Sequence, residues 1–71
     1  MTDILTERIE DALTKFETCL GLGFAYGCCV SRDRAGEVLN DLRFQENPKY
    51  DLYKTRYDIL VRVAKARVLL I

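Results

Sequence analysis

Apolar residues recur along this chain at helical rather than strand spacing. Between residues 3 and 20, Leu5, Ile9, Ala12, Phe16 and Cys19 follow one another at alternating steps of four and three, and Leu13 and Leu20 widen the stripe. Glu7, Glu10, Asp11, Thr14, Lys15 and Thr18 take the opposite side. Thr2 or Asp3 is placed to cap the start, and the acidic first turns suit the helix dipole. A first helix is predicted over 3–20.

Residues 21–30 do not declare one structure. Gly21 can close the helix in a left-handed cap, with Leu22 making the apolar contact that accompanies it. Yet the heptad phase runs on, from Ile9 and Phe16 to Gly23 and Val30, and from Leu5, Ala12 and Cys19 to Tyr26. Each interior glycine costs a helix about 1 kcal/mol against alanine, so Gly21, Gly23 and Gly27 in a continued helix need close packing in return. The balance favours a break at Gly21, an apolar connection, and a restart between Cys28 and Ser31.

A second helix is predicted over 31–46, capped by Ser31 or Asp33, with Ala35, Val38, Leu39 and Leu42 inward and Arg34, Glu37, Asp41 and Arg43 outward. Phe44 points off that stripe. Asn47 and Pro48 then mark a third start, a good N-cap followed by a residue pre-set for the first helical position. The third helix is predicted over 48–71 and carries two apolar stripes. One is Tyr53, Tyr57, Leu60, Ala64 and Ile71, joined by Tyr50, Val61 and Val68; the other is Leu52, Ile59, Val63, Ala66 and Leu70. At about 1.5 Å per residue it would run for on the order of 36 Å, too far for two shorter helices to cover. The fold expected is all-α, one domain over 1–71, its long C-terminal helix packed in a helical homodimer. Leu52, Ile59, Leu60, Val63, Ala66 and Leu70 are the expected dimer residues.

Composition strengthens the case for a second chain. A domain of 71 residues has a core that seldom supplies more than roughly 3–5 kcal/mol, so small folds add a disulfide, a metal or a partner. Cys19, Cys28 and Cys29 are odd in number, two of them adjacent, which reads as reduced thiols acting as small hydrophobes. There is no histidine, and the cysteine spacing matches no zinc pattern, so neither metal nor cofactor is expected. A partner chain is what remains.

Eleven basic and eleven acidic residues cancel, so net charge selects no class of partner. Their placement is uneven: Asp3, Glu7, Glu10, Asp11 and Glu17 against Arg8 and Lys15 leave the first seventeen residues at −3, while Lys54, Arg56, Arg62, Lys65 and Arg67 against Asp58 leave 54–67 at +4. Two surfaces of one molecule that attract each other explain this most simply. A basic helix meeting a phosphate backbone is the alternative.

Candidate chemistry is sparse. Gly21-Leu22-Gly23 lacks the preceding strand, the third glycine and the Lys-Ser/Thr pair of a phosphate loop. A cysteine nucleophile has no histidine to activate it; Arg32 and Arg34 are the charges that could lower a thiol pKa in a redox role. The acidic N-terminus carries no secretory leader pattern, and the longest apolar run, twelve residues from Cys19 to Val30, falls short of the ~20 a membrane span needs. A cytoplasmic protein is therefore expected, without enzymatic activity. It would act by binding another protein, as a regulator, adaptor or inhibitor of the kind carried on phages and other mobile genetic elements. Phe44, Tyr50, Arg32, Arg34 and Arg56 are the candidate contacts, since tyrosine and arginine concentrate at interfaces. A DNA- or RNA-binding regulator using the basic last helix is the competing expectation.

Overall fold

The α1 stripe does what its spacing demands. In a computed structural model of the chain, which describes residues 4–70, α1 spans Ile4–Leu22, α2 spans Ala25–Phe44 and α3 spans Tyr50–Ala66. Ile9, Ala12, Leu13, Phe16 and Leu20 of α1 are buried against Cys28, Ala35, Val38, Leu39 and Leu42 of α2 and Tyr53, Leu60 and Ala64 of α3. Phe16, Ile9, Leu13, Leu42 and Cys28 are the largest side chains to lose all contact with water. The expected caps Thr2 and Asp3, and Ile71 at the end of the third stripe, lie outside the described residues.

Helix α1 runs past Gly21 and closes at Gly23, whose φ of +70° costs nothing without a Cβ. Gly23 N–H donates to Leu20 O at 3.2 Å and Phe24 N–H to Cys19 O at 2.9 Å, which satisfies the last carbonyls in the paired pattern of a Schellman cap. Two residues later the chain is helical again. The expected restart near Cys28–Ser31 is thus corrected to Ala25, and the expected second cap, Ser31, is a buried residue inside α2. Phe24 stands at the N-terminus in extended conformation, with no side-chain cap. Close packing compensates for the remaining glycine: a Cβ on Gly27 would run into Cys19 Sγ, with Cys19 Cβ at 3.2 Å and the Phe24 ring at 3.3 Å.

The other two helices end in the same hydrogen-bond pattern without glycine. At the end of α2, Glu46 (φ 53°) donates to Arg43 O and Asn47 to Leu42 O, both at 3.0 Å, so the helix closes at Phe44 rather than Glu46. The expected cap at Asn47 is moved to Lys49, which has no side-chain cap; Asn47 instead makes the turn before it, its Oδ1 accepting from Lys49 N–H at 2.9 Å and its O from Tyr50 N–H at 3.0 Å. Regular helix begins at Tyr50, two residues after Pro48.

The long C-terminal helix is the larger correction. Helix α3 has 17 residues and stops at Ala66, because Val68 adopts φ 60° and sends Val68 N–H to Lys65 O and Leu69 N–H to Ala64 O. Packing explains the choice. Glu10 with Tyr53, Glu17 with Arg56, and Leu20 with Arg67 pair α1 and α3 in the same direction, so α2 returns antiparallel between them and the ends of α1 and α3 lie side by side. A further turn of α3 would overhang the end of α1. Turning back instead buries Leu70 on the core and half-buries Leu69, leaving Val68 outside. A β-branched residue in the left-handed region is strained by roughly 1–2 kcal/mol, which burial of one leucine, about 1.5–3 kcal/mol, more than offsets.

Polar contacts tie α3 to the acidic side of α1. Tyr53 Oη donates to Glu10 Oε1 at 2.9 Å, Arg56 reaches Glu10 Oε2 at 3.4 Å and Glu17 Oε1 at 3.6 Å, and the Arg56 guanidinium lies 6.0 Å over the Tyr53 ring. Arg67 Nη1 donates to Leu20 O at 3.4 Å, supplying the positive charge that the last turn of α1 lacks. Part of the charge asymmetry is thereby spent inside the molecule.

These geometries set the sign of four substitutions, measured as thermal melts by circular dichroism. Val68→Gly is expected to raise the midpoint and Gly23→Ala to lower it, each by about 4–8 °C for about 1 kcal/mol. Gly36→Ala, whose Cβ would meet only Tyr57 Oη at 3.6 Å, is expected to stabilise by the helix preference of alanine, up to about 1 kcal/mol. Gly27→Ala should lose that gain to the crowding at Cys19; equal stabilisation by both would mean that Gly27 is not a close-packing residue.

Candidate interaction surfaces

Most of the residues singled out by the sequence fall into two groups, those the core takes and those it leaves. Of the expected dimer residues, Leu60 and Leu70 are buried within the chain itself and offer no surface, which corrects that part of the expectation. Leu52 (61% exposed), Ile59 (53%) and Ala66 stand outward on α3, with Val63 half-buried at their side. These outward residues lie opposite Tyr53, Leu60 and Ala64, which face the core.

Among the candidate partner contacts, Phe44 is 89% exposed at the end of α2, beyond the last inward residue, Leu42. Tyr50 is half-buried against the core, so the two rings do not form one outward contact. Arg56 is committed to Glu10 and Glu17. Arg32 is half-buried and pairs with its neighbour Asp33, Nη2 to Oδ1 at 3.1 Å. Arg34 lines a cleft of ≈ 320 Å³ between α1 and α2, together with Arg8, Asp11, Glu37 and Asp41. Two guanidiniums among three carboxylates give that cleft no single sign with which to select an ion.

The surface that sequence reasoning passed over is the elbow between α1 and α2. Leu22, Phe24, Tyr26 and Val30 are all exposed there, and the Phe24 and Tyr26 rings stand 6.2 Å apart between centroids. Phe24, Tyr26 and Val30, with Thr18, Cys19 and Gly27, line a groove of ≈ 370 Å³ whose walls are almost wholly apolar, Lys15 being its one charged residue. The groove follows from the local fold: the cap at Gly23 swings Phe24 out beside the face where α1 and α2 meet. The signal was present in the sequence as an apolar run too short for a membrane and too rich in aromatics for a connection.

Burial settles the character of the central thiol. Cys28 is shut off from water, and that burial pushes its pKa up, with nearby Cys19 and Cys29 adding to the shift. A raised pKa leaves less thiolate at neutral pH, the reverse of what a redox or nucleophilic cysteine needs, so the lowering influence expected of Arg32 and Arg34 does not reach it. Among the described residues no group of three or more Cys, Asp or Glu side chains is arranged to hold a metal ion, and no helix is long and apolar enough to cross a membrane.

A testable consequence concerns pH. Because the folded Cys28 thiol has the higher pKa, its contribution to stability is complete below the ordinary thiol value of about 8.5 and is lost as pH rises from there through the raised folded value. Urea unfolding followed from pH 7 to pH 10 should show a fall in stability that Cys28→Ala reduces. In native protein, iodoacetamide should modify Cys19 and Cys29 before Cys28; equal rates for all three would contradict a buried thiol.

Comparison of the chain with protein-family models, with characterised proteins and with solved structures finds no match.

Proposed function

We propose that this chain is a non-catalytic protein-binding module, a regulator, adaptor or inhibitor that takes the apolar face of a partner's amphipathic helix into the groove at the α1–α2 elbow. The observation that carries the reading is the groove itself, an apolar channel walled by Phe24, Tyr26 and Val30. A cleft of ≈ 370 Å³ admits a few large side chains, the anchors that a helix projects at spacings of three and four. Aromatic walls around such anchors are where binding energy concentrates. Helix α3 supports a second contact, a homodimer formed through Leu52, Ile59, Val63 and Ala66. Three free cysteines suit a reducing compartment such as the cytoplasm.

The nucleic-acid alternative finds less support. Of the five bases in residues 54–67, Lys54 bonds Asp58, Arg56 bonds Glu10 and Glu17, and Arg67 bonds the Leu20 carbonyl. That leaves Arg62 and Lys65, too few phosphate contacts for strong electrostatic binding.

The test compares the wild type with Phe24→Asp, an exposed change that leaves the helical circular dichroism intact. Both are used as bait in a lysate of the native host, with captured proteins identified by mass spectrometry. A partner held by the wild type and lost with Phe24→Asp is expected. Capture of the same proteins by both variants would exclude the elbow as the binding surface, and a salt-dependent gel shift on DNA or RNA would favour the alternative.

A further inference from the structure

The outward face of α3 carries a pattern that says how a second copy would lie on it. Leu52, Ile59 and Ala66 form a row at seven-residue intervals, exposed along the whole helix. One flank of the row holds Asp51 and Asp58 in its N-terminal half and Arg62 and Lys65 in its C-terminal half, all exposed. The other flank holds Arg56 and Arg67, each already engaged with α1.

We infer that the chain forms a homodimer in which two α3 helices pack antiparallel across this row, with Ile59 at the two-fold axis. The inference rests on the self-association proposed above and adds its orientation and register. In a two-fold antiparallel pair, each flank meets the same flank of the other copy, running the opposite way. With Ile59 against Ile59, Arg62 comes within about 3 Å along the axis of Asp58 of the second copy, and Lys65 of Asp51 of the second copy; the two Asp58 residues come equally near each other, each offset by its own Lys54. Each opposite-charge contact occurs twice. Lys54 already holds Asp58 Oδ1, which leaves Asp58 Oδ2 as a second acceptor. Volumes match as well, since Leu52 of one copy falls opposite Ala66 of the other.

A parallel pair fares worse. It sets each flank against the opposite flank of the second copy, so Arg62 and Lys65 meet the end that carries Arg67, and the helix dipoles lie side by side in the same sense. Surface area also bears on the matter. The chain exposes 4954 Å², against about 4,500 Å² for a compact monomer of this mass. One face of a helix about 25 Å long buries less than the ~800 Å² per partner of a standard interface, so association is expected in the micromolar range.

Sedimentation equilibrium and cysteine cross-linking test this together. Wild-type protein at on the order of 100 μM, well above a micromolar Kd, should sediment as a dimer, and Ile59→Asp, an exposed change, as a folded monomer. Under mild oxidation with wild type as the blank, Leu52→Cys mixed with Ala66→Cys should give a covalent dimer that neither variant gives alone. Lys65→Glu should weaken the dimer about 5-fold, the scale of two exposed pairs reversed in sign, and adding Asp51→Lys on the same chain should restore it. A wild type that stays monomeric would remove self-association altogether. A dimer that survives Ile59→Asp overturns the interface. A dimer in which Leu52→Cys cross-links to itself overturns the antiparallel arrangement while leaving self-association in place.

Discussion

The close approach of α1 and α2 at their shared elbow is the contact on which the rest of this fold depends. A chain of 71 residues has little apolar surface to bury, and its core is assembled chiefly from the α1–α2 pair, with α3 laid along one side. Gly23 turns the chain within two residues, and Gly27 lets α2 start its return directly against Cys19. If the turn were longer, Cys28 and Ser31 would sit farther from Phe16 and Leu20, and the buried cluster would lose its closed end. The same tight turn leaves Phe24 exposed beside the groove. A binding surface of this kind is a by-product of tight closure, and its shape is as rigid as the hairpin that makes it.

Helix α3 shows the other side of the same constraint. Three helices in a body of 36 × 18 × 15 Å cannot surround one another, so each presents one face to the core and one to water. On α1 the outward face is charged and partly satisfied by Arg56. On α3 the outward face keeps Leu52 and Ile59, residues that a solvated helix has no need of. Strain at Val68 belongs to this picture too. Ending α3 level with α1 requires a left-handed residue where the chain has only valine, and burial of Leu70 makes that conformation worth holding.

How much of this was legible in the residues depends on whether a pattern was local or relational. The stripes of α1 and α2 named their buried residues apart from Cys28 and Ser31 in the first turns of α2, because on a helix packed from one side the 3.6-residue period is a direct readout of burial. Asn47-Pro48 marked the third start for a similar reason, a local turn chemistry. The turn at Gly23 was less accessible. Gly21 and Gly23 have equal freedom to adopt a positive φ, and nothing local distinguishes them. The end of α3 was hidden further, since a helical pattern continues through Val68 and Leu70 and nothing local reveals that α1 has run out beside it.

The same distinction governs the two stripes of α3. Sequence spacing assigns Leu60 and Ile59 to different faces but cannot say which face meets the core, because both are apolar enough for it. The choice falls to the polar residues beside them. Tyr53 and Arg56 reach Glu10 and Glu17 only when the Tyr53–Leu60–Ala64 side is turned inward, since these groups share one edge of the helix. Rotating α3 to bury Leu52 and Ile59 instead would carry Asp51 and Arg62 toward the core and separate Tyr53 from its carboxylate. Each exposed ion pair is worth only about 0–1 kcal/mol, yet between two hydrophobic faces of similar area a difference of that size, added to the cost of moving charge away from water, is enough to decide the rotation. What remains outward is therefore an apolar row, flanked on one side by Asp51 and Asp58 toward the start of the helix and by Arg62 and Lys65 toward its end.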